Sequence, residues 1–479
     1  MRNGVKMMKR GAEKGQDLQL QRSQEILQGV EATPLGPARW RISPEPFWIS
    51  AEEMGFFQDL GNHLLVFYQT LNALYQQSAR GRLPQWIAHY LDQGKPSDLV
   101  AYGRMNRFKS HLPGIIRPDL ILTEAGQECT ELDSVPGGFG MTACLAQLYT
   151  RQGDGVIGGA DGILHGFGRM IQDVAGQERP NLALVVSEES RDYLPEMAWL
   201  GEALRKKGFS AYVVEPGQVE FTEDGLFVQT PSKNDGSRIP VHVIYRFFEL
   251  FDLKNIPKSD LILYAVKKGL VLLTPPAKAF LEEKLAFALF HHPVLRPFWL
   301  EELGRATFAV LESIFPKTWV LDPREVPPHA VIPDLRIGEE WITDWRTLGH
   351  LGQKERRFVV KPSGFSELAW GSRGVTVGHD VSEKDWQEVI EEALESFYRT
   401  PYILQEFHKG RQVEVSYYDS TDRVIRKMSG RVRLCPYYFV VNGKAELGGI
   451  LATVCPPDKK LIHGMTDAVM VPCGLRENT

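Results

Sequence analysis

The segment IIRPDLILTEAGQECTELDSVPGGFGMT, residues 115–142, constrains this chain more than any other. Apolar and polar residues alternate on both sides of Gly126, which predicts a strand over 114–122, a turn, and a second strand over 129–133. Side chains two apart on a strand share a face. Arg117 and Asp119 therefore point one way on the first strand, and Glu131 and Asp133 on the second. If the hairpin pairs in register, three carboxylates and one guanidinium converge. Asp119, Glu131 and Asp133 are hard oxygen ligands of the kind Mg²⁺ takes when it bridges nucleotide phosphates. Arg117 offers a planar fork to a substrate carboxylate. The turn at 136–138 leads into a helix over MTACLAQLY, so the N–H groups of Gly137, Gly138, Phe139 and Gly140 make an anion seat. A solvent-facing hairpin with polar outer residues shows the same alternation. The carboxylate pair followed by a glycine turn favours a site.

A hairpin needs a body to hold it, and 479 residues imply two or three packed domains. Residues 54–77 have the 3–4 spacing of an amphipathic helix. The glycine-rich run 153–168 reads as a long loop entering a short helix. Strand 181–190, helix 193–208 and strand 209–216 give a β-α-β rhythm and a small Rossmann-like parallel sheet. Strand 241–250 extends it, and 278–293 reads as a helix. Strands at 356–363, 401–407, 413–419, 430–440 and 448–454, with a helix at 385–394, indicate a largely antiparallel C-terminal sheet. The fold class is thus α/β and α+β together. The expected division is a disordered tail over 1–45, helices and acidic hairpin over 46–180, a Rossmann-like substrate domain over 181–275, and a nucleotide-binding part with a lid loop over 276–479.

Three further segments carry charge in suggestive places. In FVVKPSGFSELAWGSRGVTVG (358–378) a lysine ends a β-branched strand and a Ser/Gly-rich loop follows. Lys361 would set a point charge on phosphates, Ser372, Arg373 and Gly374 would close over them, and Glu367 would add a metal ligand. A plain hairpin with a polar tip reads the same way. In YILQEF (402–407) the strand ends on Gln405 and Glu406, an edge for adenine, with Glu406 or Glu414 reaching its amino group or the ribose. Lys284 lies within the apolar run AFLEEKLAFALF; a snorkelling surface lysine is its other reading.

Several functions are excluded. A net charge of −5 with scattered basic residues leaves no footprint for nucleic acid. No run of 18 apolar residues occurs, so no membrane span is expected. The first sixteen residues are basic without an apolar stretch, unlike a signal peptide. Five distant cysteines form no metal-ligand spacing, and a reducing cytoplasm suits them. The run Gly153–Gly158 matches GxGxxG but lacks a preceding strand, and there is no P-loop.

In this order, Arg117-Pro118-Asp119, Glu131-Leu132-Asp133 with its glycine turn, Lys284, Lys361 with its loop to Glu367, Gln405-Glu406 and a Gly448-Gly449 turn resemble the permuted ATP-grasp ligases, eukaryotic-type glutathione synthetase and glutathionylspermidine synthetase. The resemblance spans residues 115–455 in short motifs. It implies an ATP-grasp-like fold and an ADP-forming carboxylate–amine ligase working on Mg-ATP, with small-molecule acid and amine as substrates and a dimer as the typical assembly. It also implies roles: Asp119, Glu131, Asp133 and Glu367 on magnesium, Lys284 and Lys361 on phosphates, and Gln405 with Glu406 at adenine. Arg117 would hold the acyl substrate with Arg431 or Arg433 near it. The loop after Lys361 is longer than the family's and lacks its compact glycine triplet. A small-molecule kinase and a non-catalytic nucleotide-binding protein are the competing readings.

Overall fold

The acidic hairpin forms in register. In this computed structural model, strand Ile115–Leu122 pairs antiparallel with Gln127–Asp133, placing Arg117 opposite Asp133 and Asp119 opposite Glu131, with a bulge after Asp119. The structure describes residues 2–133, 135–229, 238–325, 330–369, 371, 373–459, 461–464 and 466–476, with side chains from residue 15 onward.

The hairpin is one edge of a seven-stranded sheet. Its order runs Phe47–Ile49, Val469–Leu475, Lys444–Cys455, Val424–Val441, Ile115–Leu122, Gln127–Asp133, and Gln412–Asp419 also pairs with Val424–Val441. The 18 residues of Val424–Val441 are long enough to bind two neighbours end to end along one edge. Helices cover both faces. Adjacent residues on a strand face opposite ways, and Tyr438 meets helix Ala51–Ala79 at Gly61 while Phe439 meets helix Gly162–Ala175 at Gly166. The first of these helices starts at a reciprocal cap between Ser50 and Glu53.

A second sheet is fully parallel, in the order Leu272–Thr274, Val243–Phe247, Asn181–Val186, Ser210–Val214, as the β-α-β rhythm predicts. Helix Leu194–Lys206 is its crossover. A third sheet, Thr318–Val320, Tyr402–Glu406, Phe358–Pro362, Thr376–Val377, is antiparallel and is backed by helix Glu383–Glu395.

Four expectations are corrected. Residues 1–45 are not a disordered tail over their described length: helix Arg2–Glu31 docks its Ile26 and Val30 into the core, four residues apart on one face, and Gly29 lies against Leu148. Residues 278–293 are not one helix. A 3₁₀ turn, Ala279–Glu282, breaks before helix Leu285–His291, because Ser363 takes the N–H groups of Lys284 and Leu285. Gly448 and Gly449 form no turn; they lie inside strand Lys444–Cys455, where a Cβ on Gly158 would stand 2.0 Å from the Gly448 carbonyl oxygen. The boundary at residue 276 is also crossed, since the hairpin shares its sheet with the last strands of the chain.

Candidate functional site

The hairpin and the lysine strand, about 230 residues apart in sequence, meet. Lys361 Nζ donates to the Thr130 carbonyl at 2.9 Å, and Lys284 Nζ lies 2.7 Å from Glu131 Oε1. Register explains the reach: Lys361 opposes Ile403 in the third sheet, and its side chain leaves toward the hairpin edge of the first.

Two cavities open on either side of this contact. The larger, about 600 Å³, is walled by Arg117, Asp133, Glu196, Glu249, Lys284 and Tyr437 among others. The smaller, about 370 Å³, has apolar walls of Val359, Val377, Phe407 and Ile462, with Glu406 and His408 at its rim. Asp119, Glu131, Lys361 and Arg433 border both. A cavity with an apolar wall beside a cationic junction suits a nucleotide.

The charges are tightly paired. Arg117 Nε lies 3.1 Å from Asp119 Oδ1, its Nη2 2.8 Å from Asp133 Oδ2, and its Nη1 donates to the Gly137 carbonyl at 3.1 Å. Arg433 Nη1 lies 2.7 Å from Asp119 Oδ2. Burial would raise the Asp119 carboxyl, but the two guanidiniums outweigh it and hold it below the usual range. Asp133 moves upward, because burial exceeds what Arg117 returns and Glu131 and Asp119 add repulsion. The two lysines also differ. Burial pushes Lys361 down to about 8, whereas Lys284 ends above its ordinary value because Glu131 overcomes the burial term.

Not every expected residue arrives. The anion seat is filled by the protein itself: Glu196 accepts from Gly138 N at 3.1 Å and Gly140 N at 2.9 Å, so the N–H groups of Gly138 and Gly140 are not free for a substrate, although Gly137 and Gly138 both border the larger cavity. Burial raises this carboxyl to about 7. Glu367 is exposed in a 3₁₀ turn and walls neither cavity. Among the described residues, no group of three His, Cys, Asp or Glu side chains could by itself hold a metal ion. Arg373 lies 3.1 Å from Glu189, and Gly374 N closes its loop on Leu368 O at 2.9 Å. Ser372 lies outside the described residues. Gln405 does line the smaller cavity, although its amide nitrogen is already committed to Thr318 at 3.0 Å. Glu414 pairs with Lys427 at 2.7 Å on an outer strand and does not line the smaller cavity, because its side chain faces solvent. Arg431 borders that cavity and donates to the Pro457 carbonyl at 2.6 Å.

Sequence reasoning missed Glu196, Glu249 and Glu282. Each follows apolar neighbours as any amphipathic surface carboxylate does. Glu282 pairs with the fully buried Arg246, which also donates to the Phe248 carbonyl at 2.6 Å. Burial and the neighbouring Glu282 raise Glu249 to about 8.

No family model and no curated protein matches the sequence. Solved structures do. A glutathione synthetase-like effector from Globodera pallida, in its apo form, superposes with a TM-score of 0.55 over 95% of this chain and 97% of that one, at 10% identity. A putative gamma-glutamylcysteine synthetase from Methylobacillus flagellatus reaches a TM-score of only 0.40 at 12% identity, over 83% and 86% of the two chains, too little to argue from. The chain therefore shares the fold of a glutathione synthetase-like protein. No helix among the described residues is long and apolar enough to cross a membrane.

Proposed function

We propose that the chain is an ATP-grasp carboxylate–amine ligase that forms an amide and releases ADP and phosphate. The observation that carries this is the convergence of Lys284, Lys361 and Glu131 at the junction of an apolar slot and a larger polar cavity. Adenine would occupy the slot beside Glu406, the phosphates the junction, and the two substrates the larger cavity.

Mg²⁺ takes one or two carboxylates and completes its shell with phosphates and water. Glu131 and Asp133 suit that mode. Asp119, gripped on both oxygens by Arg117 and Arg433, does not, and Glu367 stands off the cavity. When bound, the ion would neutralise phosphate charge as it develops.

The rest falls to the chain. A substrate carboxylate oxygen attacks the γ-phosphorus, ADP departs, and an acyl-phosphate remains; the amine nitrogen then attacks the acyl carbon, phosphate leaves, and the nitrogen loses a proton. Lys361 and Lys284 offset the charge that accumulates in both steps. Arg117 is held in orientation by Asp119, Asp133 and the Gly137 carbonyl, leaving one N–H on each terminal nitrogen for the acid. Glu249, whose carboxyl group has no hydrogen bond or ion pair among the described residues and is held protonated near neutrality, gives the same cavity an uncommitted hydrogen-bonding group for the amine. The loop after Lys361, whose Ala369 carbonyl accepts from Lys284 at 3.4 Å, would exclude water from the intermediate.

Calorimetry with Mg-ATP, followed by ADP release across a panel of acids and amines, tests this. Glu131→Gln and Lys361→Ala are each expected to abolish ADP release; full activity in either removes the site assignment. The exposed position of Glu367 favours one competing reading, a nucleotide-binding protein without turnover. Tight Mg-ATP binding with no amine-dependent ADP across the panel would select it.

A further inference from the structure

Lys95 lies in the turn between helices Gln85–Asp92 and Ser97–Gly103, outside every segment used above. Its ammonium is 2.5 Å from Glu283 Oε1, and both side chains are 1% exposed. Neither residue borders either of the two cavities described above. Glu283 in turn accepts from the Ser363 hydroxyl and, at 3.3 Å, from the Phe365 N–H. The same hydroxyl oxygen accepts from Leu285 N at 2.9 Å, and the Ser363 carbonyl from Lys284 N at 2.8 Å. The chains are in contact here, since a Cβ on Gly364 would stand 2.5 Å from the Glu282 carbonyl oxygen.

Ser363, two residues after Lys361, is thus bolted to the backbone on either side of the Lys284 side chain. Two ammonium groups held toward one phosphate site repel until a ligand arrives, and Lys284 does depress Lys361. A buried ion pair is a weak source of net stability, so its use must lie elsewhere. Resting on the nucleotide reading above, we infer that the Lys95–Glu283–Ser363 junction is a positioning device: it fixes the spacing of Lys284 and Lys361, so that Lys95 and Glu283 set nucleotide affinity without touching the nucleotide.

The test compares wild type, Ser363→Ala, Lys95→Arg and the double variant Lys95→Met/Glu283→Gln by Mg-ATP calorimetry, with thermal melts to establish folding. The double variant removes both charges and leaves no uncompensated buried ion. Ser363→Ala and the double variant are expected to bind Mg-ATP about tenfold more weakly, as the loss of one positioning hydrogen bond implies. Lys95→Arg, which keeps the charge, is expected to stay within about threefold of wild type. Folded Ser363→Ala and double variants that bind as tightly as wild type overturn the inference; if the double variant does not fold, Ser363→Ala decides alone. Wild type that fails to bind Mg-ATP overturns the ligase reading instead.

Discussion

Lys361 and Lys284 are the same residue type a few ångströms from the same hairpin, yet their environments separate them. Lys284 has Glu131 directly against it and stays charged; Lys361 donates to the neutral Thr130 carbonyl, and burial together with the charge of Lys284 outweighs the more distant pull of Glu131 and brings it down to about 8. It is cationic below that value and loses its charge as pH rises through it. If the proposed ligase reading holds, the kcat/KM for ATP, which reports the free enzyme, is therefore expected to fall above pH about 8. Lys361→Arg, which cannot deprotonate in this range, should lose that limb; an unchanged limb in the variant would clear Lys361 of the effect. Glu196 has the opposite sense. Its folded pKa, about 7, lies above its ordinary 4.5, so the unfolded state ionises first and stability falls as pH rises from 4.5 to 7. Glu196→Gln should flatten that part of a urea-midpoint profile, and a wild-type slope retained in the variant would refute the assignment. The hairpin residues were legible because alternation assigns faces without tertiary help. Glu196 was not, because nothing in YLPEMAWLGEALRKKG separates a carboxylate that turns into a helix start from one that faces water.

Elements repeat the lesson. Helix Ala51–Ala79 was legible from its spacing, and Ser50→Ala should cost about 1 kcal/mol through the lost cap. Helix Arg2–Glu31 was not, because its apolar contacts are few and its polar residues dominate. The break before Lys284 was hidden too: AFLEEKLAFALF satisfies a helix until Ser363, about 80 residues away, claims two of its N–H groups. Glycines at helix–sheet crossings carry the packing. Gly166→Val places its first carbon about 2.3 Å from the Phe439 ring and is expected to destabilise by about 1–3 kcal/mol in equilibrium unfolding. A midpoint equal to wild type would mean that the helix can move off the sheet without penalty.

At the scale of the molecule, the three sheets are arranged so that the site lies between them rather than on any one. The loop after Lys361 crosses to the parallel sheet through Arg373 and Glu189, whose side chains are 49% and 35% exposed. Exposed pairs contribute little to stability, so Arg373→Ala is expected to leave the melting temperature within about 2 °C. On the ligase reading proposed above, it should raise phosphate release in the absence of amine, as water reaches the acyl-phosphate; unchanged release would dissociate that pair from closure. The overall arrangement was legible only through the order of short motifs, since no periodicity tells a strand which sheet it joins. That central sheet has a consequence for synthesis. Asp119 meets Arg433 only when strand Val424–Val441 exists, and 314 residues separate the two. At roughly 5–20 residues per second on the ribosome, the hairpin waits on the order of 15–60 s with Arg117 as the one cation of its own to set against its acids. A nascent chain of this kind leaves the proposed nucleotide site unfinished until the last strands, and fragments that stop short of them would carry the motifs without the pocket.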